Sequence, residues 1–275
     1  VVDVPLERTP EGLLAVTLRM KGGGLSFRFL LDSGASGNSV SPALAHDLAL
    51  RPHGTAEAVG AGGSMGAEAL VELPKLQLGG MDLPAMEASV TPLAGPTDGT
   101  VGILGRDFLL LHDTEVDLAH GRLRLFPRGS SRSRSDLSPA STRLPFSESL
   151  GLVRVDVRLD GSGAMPAIVD LGAPQSIASV EAAKAAGFAM PVGKTGAAAM
   201  GADGKPIAVA PHTFQNLGVG AIAIPSPLLV VGDLPVFGEL GFGTGPAVLL
   251  GLDMLRSRVV VFDYEHHELV ISPLV

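Results

Sequence analysis

The sequence predicts an all-β protein, mostly strands with a few short helices, arranged as two pseudo-symmetric lobes. Three observations carry this. Short apolar segments with strand-like alternation recur along the whole chain, punctuated by 36 glycines and 21 prolines. Helix signals are few and brief. A carboxylate-bearing motif at the end of one apolar run, Asp32-Ser33-Gly34-Ala35, returns in the second half as Asp170-Leu171-Gly172-Ala173.

In the first half, Leu14 to Met20, Ser26 to Leu31, Ala69 to Leu73 and Arg122 to Phe126 read as strands, and in the second half Leu152 to Leu159, Ala167 to Val169, Leu228 to Val231 and Val259 to Phe262 match them. Ser41 caps a short helix with Pro42 in its first turn, and Ser179 caps its counterpart, which Gly187 stops. Ile103-Leu104-Gly105-Arg106-Asp107 is echoed by Leu249-Leu250-Gly251-Leu252-Asp253, and short helices are expected at Asp107 to Leu111 and Asp253 to Arg256. There the aspartates read as caps rather than as a second carboxylate pair. Asp117 and Asp263 each precede a final strand. The duplication gives lobes at 1–127 and 144–275. Between them, residues 128–143 are Arg- and Ser-rich without apolar periodicity and read as a solvated linker.

Composition narrows the function. The net charge is −8 and no basic, aromatic-rich patch appears, so nucleic acid is not an expected partner. No apolar run is long enough to span a membrane. With no cysteine there can be no disulfide, thiolate metal site or cysteine nucleophile. His266-His267, beside Asp263 and Glu265, reads as a hairpin turn, because neighbouring residues on a strand face opposite ways. Neither a metal nor a cofactor is expected.

Two carboxylates held close together share a proton, so one can activate water while its protonated partner polarises a carbonyl. Such a pair needs each aspartate at a strand end, with glycine behind it allowing a tight turn toward the other lobe. Asp32 with Gly34, and Asp170 with Gly172, meet that demand. Leu30-Leu31-Asp32-Ser33-Gly34-Ala35-Ser36, Ser39-Val40-Ser41-Pro42 with its helix, and the Ile103-Leu104-Gly105 element resemble the aspartic proteases of the pepsin and retropepsin kind, as a bacterial retropepsin-like domain duplicated in one chain. The resemblance covers nearly the whole sequence.

That resemblance implies a bilobal aspartic protease fold with Asp32 and Asp170 as the catalytic dyad, supported by Ser33, Gly34, Ala35, Leu171, Gly172 and Ala173. It implies a peptide or protein substrate bound extended between the lobes, with one chain sufficient to build the site. By position, the Gly- and Ala-rich segments containing Gly62, Gly63, Ser64 and Met65, and Ala199, Met200 and Gly201, are similar to substrate-covering flaps. An exported or periplasmic location follows from the resemblance and from a start without Met, as if a signal segment were absent. The aliphatic-rich chain suggests an apolar substrate preference.

Leu171 departs from the family pattern. Where Ser33 can bond across to the opposite loop, leucine has no donor, and Pro174 replaces the counterpart of Ser36. Two other readings therefore stand beside hydrolysis: a protease-fold protein that binds peptides without cutting them, and an acid–base enzyme that modifies a peptide.

Overall fold

The structure is a computed structural model that describes residues 1–60, 63–93, 99–189, 197–200 and 206–274. It is mostly β, with two curled ten-stranded sheets and a six-stranded sheet between them. The two larger sheets repeat one another strand for strand. In each, the central strands run in the same spatial order, with one parallel pairing beside the strand that ends in Asp32 or Asp170.

Burial explains why these segments are strands. Along Leu152–Leu159 and Ser26–Leu31, inward residues such as Val155, Val157, Phe29 and Leu31 are buried, while their neighbours are more exposed. Ser26–Leu31 lies between the antiparallel strand Leu14–Met20 and the parallel strand Thr100–Leu104, which sets Leu31 opposite Leu104. In the second half, Met165–Val169 lies between Leu152–Leu159 and Val248–Leu250, with Val169 opposite Leu250. The ladder continues one step beyond each strand: Asp32 N donates to Leu104 O at 3.0 Å, and Asp170 N to Leu250 O at 2.9 Å. Both aspartate backbones are thus fixed by the apolar register of the core.

The expected helices form at Pro42–Asp47 and Val180–Ala185, where the Ser41 and Ser179 hydroxyls accept from the amides of Leu44 and Ala182. Short helices also stand at Arg106–Leu109 and Leu252–Leu255. Their N-cap residues are Gly105 and Gly251, so Asp107 and Asp253 are not the caps. A further helix, Pro235–Glu239, gave no amphipathic signal because it is barely more than one turn. It packs on the strand Gly63–Glu72 of the other half.

The six-stranded sheet joins the halves. Asp113–Asp117 pairs with Val259–Asp263 across the pseudo-twofold, Thr114 opposite Phe262 and Asp117 opposite Val259. Val2–Pro5 and Arg122–Phe126 complete one side, and Glu268–Ile271 and Thr142–Pro145 the other. His266 and His267 lie in the turn between the last two strands, where His266 bonds Asp263.

Residues 128–143 are not a solvated tether. Arg128 pairs with Glu265 and Arg132 with Glu268. Arg134 is buried over the Phe126 ring, 3.5 Å from its centre, and forms ion pairs with Glu115 and Asp136, each at 2.6 Å. These arginines are spent internally. Ser131, fully buried, donates its amide to Asp113 at 2.7 Å and its hydroxyl to Asp263, so it ties one carboxylate from each half. Ser131→Ala removes a charge-assisted bond from a buried carboxylate and is expected to cost about 1–3 kcal/mol. Urea unfolding should show this as a lower midpoint with an unchanged slope.

Candidate active site

Each aspartate heads a loop that folds back on itself. Gly34 N donates to Asp32 Oδ1 at 2.7 Å and Gly172 N to Asp170 Oδ1 at 2.8 Å. The far ends of the loops are anchored alike, by Arg106 N to Ala35 O and Leu252 N to Ala173 O, both 2.9 Å. Gly34 lies against the Asp170 carboxylate and Gly172 against that of Asp32, where a Cβ on either glycine would intrude. The structure therefore brings Asp32, Gly34, Asp170 and Gly172 together, with Ala35 and Ala173 as loop anchors. Gly105 and Gly251 carry no side chain because the carbonyls of Ala35 and Ala173 occupy that space.

The crosslink between the loops is one-sided. Ser33 Oγ donates to Val169 O at 2.8 Å and accepts from Leu171 N at 3.0 Å, satisfying both backbone groups of the opposite loop. Leu171 cannot return these bonds. Its side chain is completely buried and belongs to the apolar core, so its loop is held by packing where the Ser33 loop is held by polar contacts.

Asp170 is buried, Asp32 is partly buried, and their carboxyl groups are in hydrogen-bonding contact. Burial pushes both above the ordinary carboxylate range. Asp170 goes well above it, because the Asp32 charge beside it adds to the burial. Asp32 accepts from the Gly34 and Gly172 amides and from the Asp170 carboxyl, all of which favour its charged form. Asp170 in turn accepts from the Gly172 and Ala173 amides, and the pair holds its proton in common.

Two buried residues that sequence reading passed over hold the loops to the neighbouring helices. Asn38 Oδ1 accepts from Gly105 N at 3.1 Å, and its Nδ2 donates to Glu87 O at 3.2 Å. At the matching place, Ser176 Oγ accepts from Gly251 N at 2.9 Å and donates to Asp253 Oδ1 at 2.6 Å. Their shared position six residues after each aspartate was the available signal, but the change from Asn to Ser conceals it.

A cavity of about 450 Å³ opens beside the pair and runs into the first lobe. Of the flap segments, Gly63, Ser64 and Met65 start the strand Gly63–Glu72, paired with Pro52–Gly60, and Ala199 and Met200 end the strand Ala197–Met200, paired with Pro206–Thr213. Gly62 and Gly201 lie outside the described residues. Among the described residues no group of acidic or histidine side chains is arranged to hold a metal, and no helix is long and apolar enough to cross a membrane.

A bilobal β-fold with one aspartate loop from each lobe, meeting at the lobe junction, defines the retropepsin-like class. A family model described as aspartyl protease matches residues 16–108 and 155–254, once in each half. The chain belongs to the aspartyl protease family, with its domain duplicated. No curated protein matches it.

Two measurements test this arrangement. Ser33→Ala strands the Val169 carbonyl and the Leu171 amide, and should cost about 1–3 kcal/mol in urea unfolding. The raised carboxyls also make stability depend on pH. Because the folded pair binds protons more tightly than the ordinary value of 3.8, its contribution is complete below that pH and is lost as pH rises through the raised folded values. Unfolding measured across that range should show the decline in wild type and a flatter one in Asp170→Asn.

Proposed function

We propose that the protein is an aspartic endopeptidase that hydrolyses a peptide bond in a substrate bound extended between its lobes. The observation that carries this is the contact between the buried Asp170 carboxyl and the partly buried Asp32 carboxyl, each at the end of a matched strand. Asp32, as the ionised member, takes a proton from a water molecule. Asp170, as the protonated member, donates to the scissile carbonyl oxygen, and the water oxygen adds to the carbonyl carbon. Proton transfer to the amide nitrogen then lets the carbon–nitrogen bond break, and the pair regains its single shared proton.

In this reading residues 1–127 and 144–275 are the two lobes, 128–143 is the docked connection, and the segments that contain Gly63, Ser64 and Met65 and Ala199 and Met200 cover the substrate. One chain supplies both carboxylates, so a monomer suffices. Substrate strands add their backbone bonds to the cleft edges, as in other extended-peptide complexes.

A second reading, peptide capture without cleavage, is favoured by one observation: the crosslink at Ser33 has no return from Leu171. Mass spectrometry of a mixed peptide library separates the two. Hydrolysis predicts cuts that disappear in both Asp32→Asn and Asp170→Asn; persistent cutting in either variant would exclude the paired mechanism. Intact but tightly bound peptides would establish capture.

The pH profile is a further expectation. Hydrolysis requires one proton on the pair, so rate falls at low pH when the pair takes a second proton and at high pH when it loses its only one. Burial and the neighbouring charge both hold the shared proton, so the alkaline limb should lie well above the ordinary aspartate value of 3.8. A profile of kcat/KM against pH with its alkaline limb at the ordinary aspartate value would contradict the pairing of the two carboxyls.

A further inference from the structure

We propose that the first-lobe side of the cleft is a cation subsite, which takes a Lys or Arg side chain of the substrate close to the bond facing Asp32 and Asp170. This deepens the peptidase reading and rests on it. The cavity beside the pair is lined by the acidic side chains Glu57, Glu87 and Asp107 and, among the described residues, by no lysine or arginine. Ser39 and Ser89 supply neutral acceptors on the same wall.

Ser39 is the independent sign that something is meant to bind there. Its neighbour Val40 points into the core and is fully buried, so Ser39 faces the opposite way, into the cleft, level with Ser89 and Ile103. Ser39 is 8% exposed, yet its hydroxyl has no hydrogen-bond partner among the described residues. A buried hydroxyl without a partner is costly, and a donor reaching in from the cleft would satisfy it.

The carboxylates are only partly answered from within. Glu87 has His53 at 3.3 Å. Arg106 comes within 3.8 Å of Asp107, but its Nε is bound to Glu148 at 2.5 Å. Asp107 is exposed along half of its side chain, and partial burial of the rest raises its carboxyl against the pull of Arg106, with the nearby Glu87 charge adding to the rise. An ammonium or guanidinium group would relieve this crowding with charge-assisted bonds.

Among the described residues, the matching positions of the other lobe differ. Ser89 N donates to Asn38 O, and Val230 N donates to Ser176 O, which makes Val230 the counterpart of Ser89 and Leu228 that of Glu87. Ile177 stands where the first lobe has Ser39, and Asp253 is held by Ser176. At these matched positions the acidic side chains that line the cavity belong to one side of the cleft.

The test uses peptides that differ only in Lys, Arg or norleucine at each position flanking the cut, with norleucine keeping the length of the lysine chain but not its charge. At one position, wild-type kcat/KM should favour Lys or Arg over norleucine by about tenfold. Asp107→Asn combined with Glu87→Gln should bring that ratio towards one. Norleucine cut as well as Lys at every position, with cleavage still dependent on Asp32, would overturn the subsite and leave the peptidase reading standing. If no peptide is cut, anisotropy of labelled peptides on the wild-type protein decides: tighter binding of the Lys peptide supports the subsite, and equal binding overturns it. Neither cleavage nor binding of any peptide would overturn both readings.

Discussion

Burial and mutual repulsion both oppose charge on Asp32 and Asp170, so holding the two carboxyls together costs free energy that the rest of the fold has to offset. The means are visible at successive distances. Glycine amides bond the carboxylates directly, the Ser33 hydroxyl ties one loop to the other, Asn38 and Ser176 tie the loops to the helices behind them, and a six-stranded sheet fixes the halves at the base. Most of these contacts use backbone groups, whose positions are set by strand register rather than by flexible side chains. The geometry at the pair is thus a consequence of apolar packing several residues away.

Much of this was legible in the sequence. The runs ending at Asp32 and Asp170 announce buried strands, and glycine after each aspartate announces a turn too tight for a side chain. The paired Ile103-Leu104-Gly105 and Leu249-Leu250-Gly251 elements proved to be the parallel neighbours that fix those strands. Family membership, read from the same residues, follows from the match in both halves. What stayed hidden depends on residues distant in sequence. Nothing local to Ser131 reveals that Asp113 and Asp263 converge on it, so the segment resembles any solvated Ser-rich tether. Asp253 resembles a helix cap, because its partner Ser176 lies far back along the chain. The acidic wall is assembled from Glu57, Glu87 and Asp107, on three separate segments.

The halves agree in their scaffold and differ at their polar details. Strand order, loop anchors and helix caps are repeated, whereas Ser33 faces Leu171, Asn38 matches Ser176, and Glu87 matches Leu228. Backbone-determined features tolerate little change, since a slip of one residue would turn every buried side chain outward. Side chains that only tune the cleft are free of that constraint, and the differences collect there.

Pairing of Asp113–Asp117 with Val259–Asp263 within one polypeptide has a last consequence. Two identical subunits joined along such a seam must offer a ligand the same surface from left and right, so a chain lying across it could enter in either orientation with equal ease. Once the seam is intramolecular, each flank answers to its own stretch of sequence. The two orientations of any directional ligand across such a cleft are then no longer equivalent.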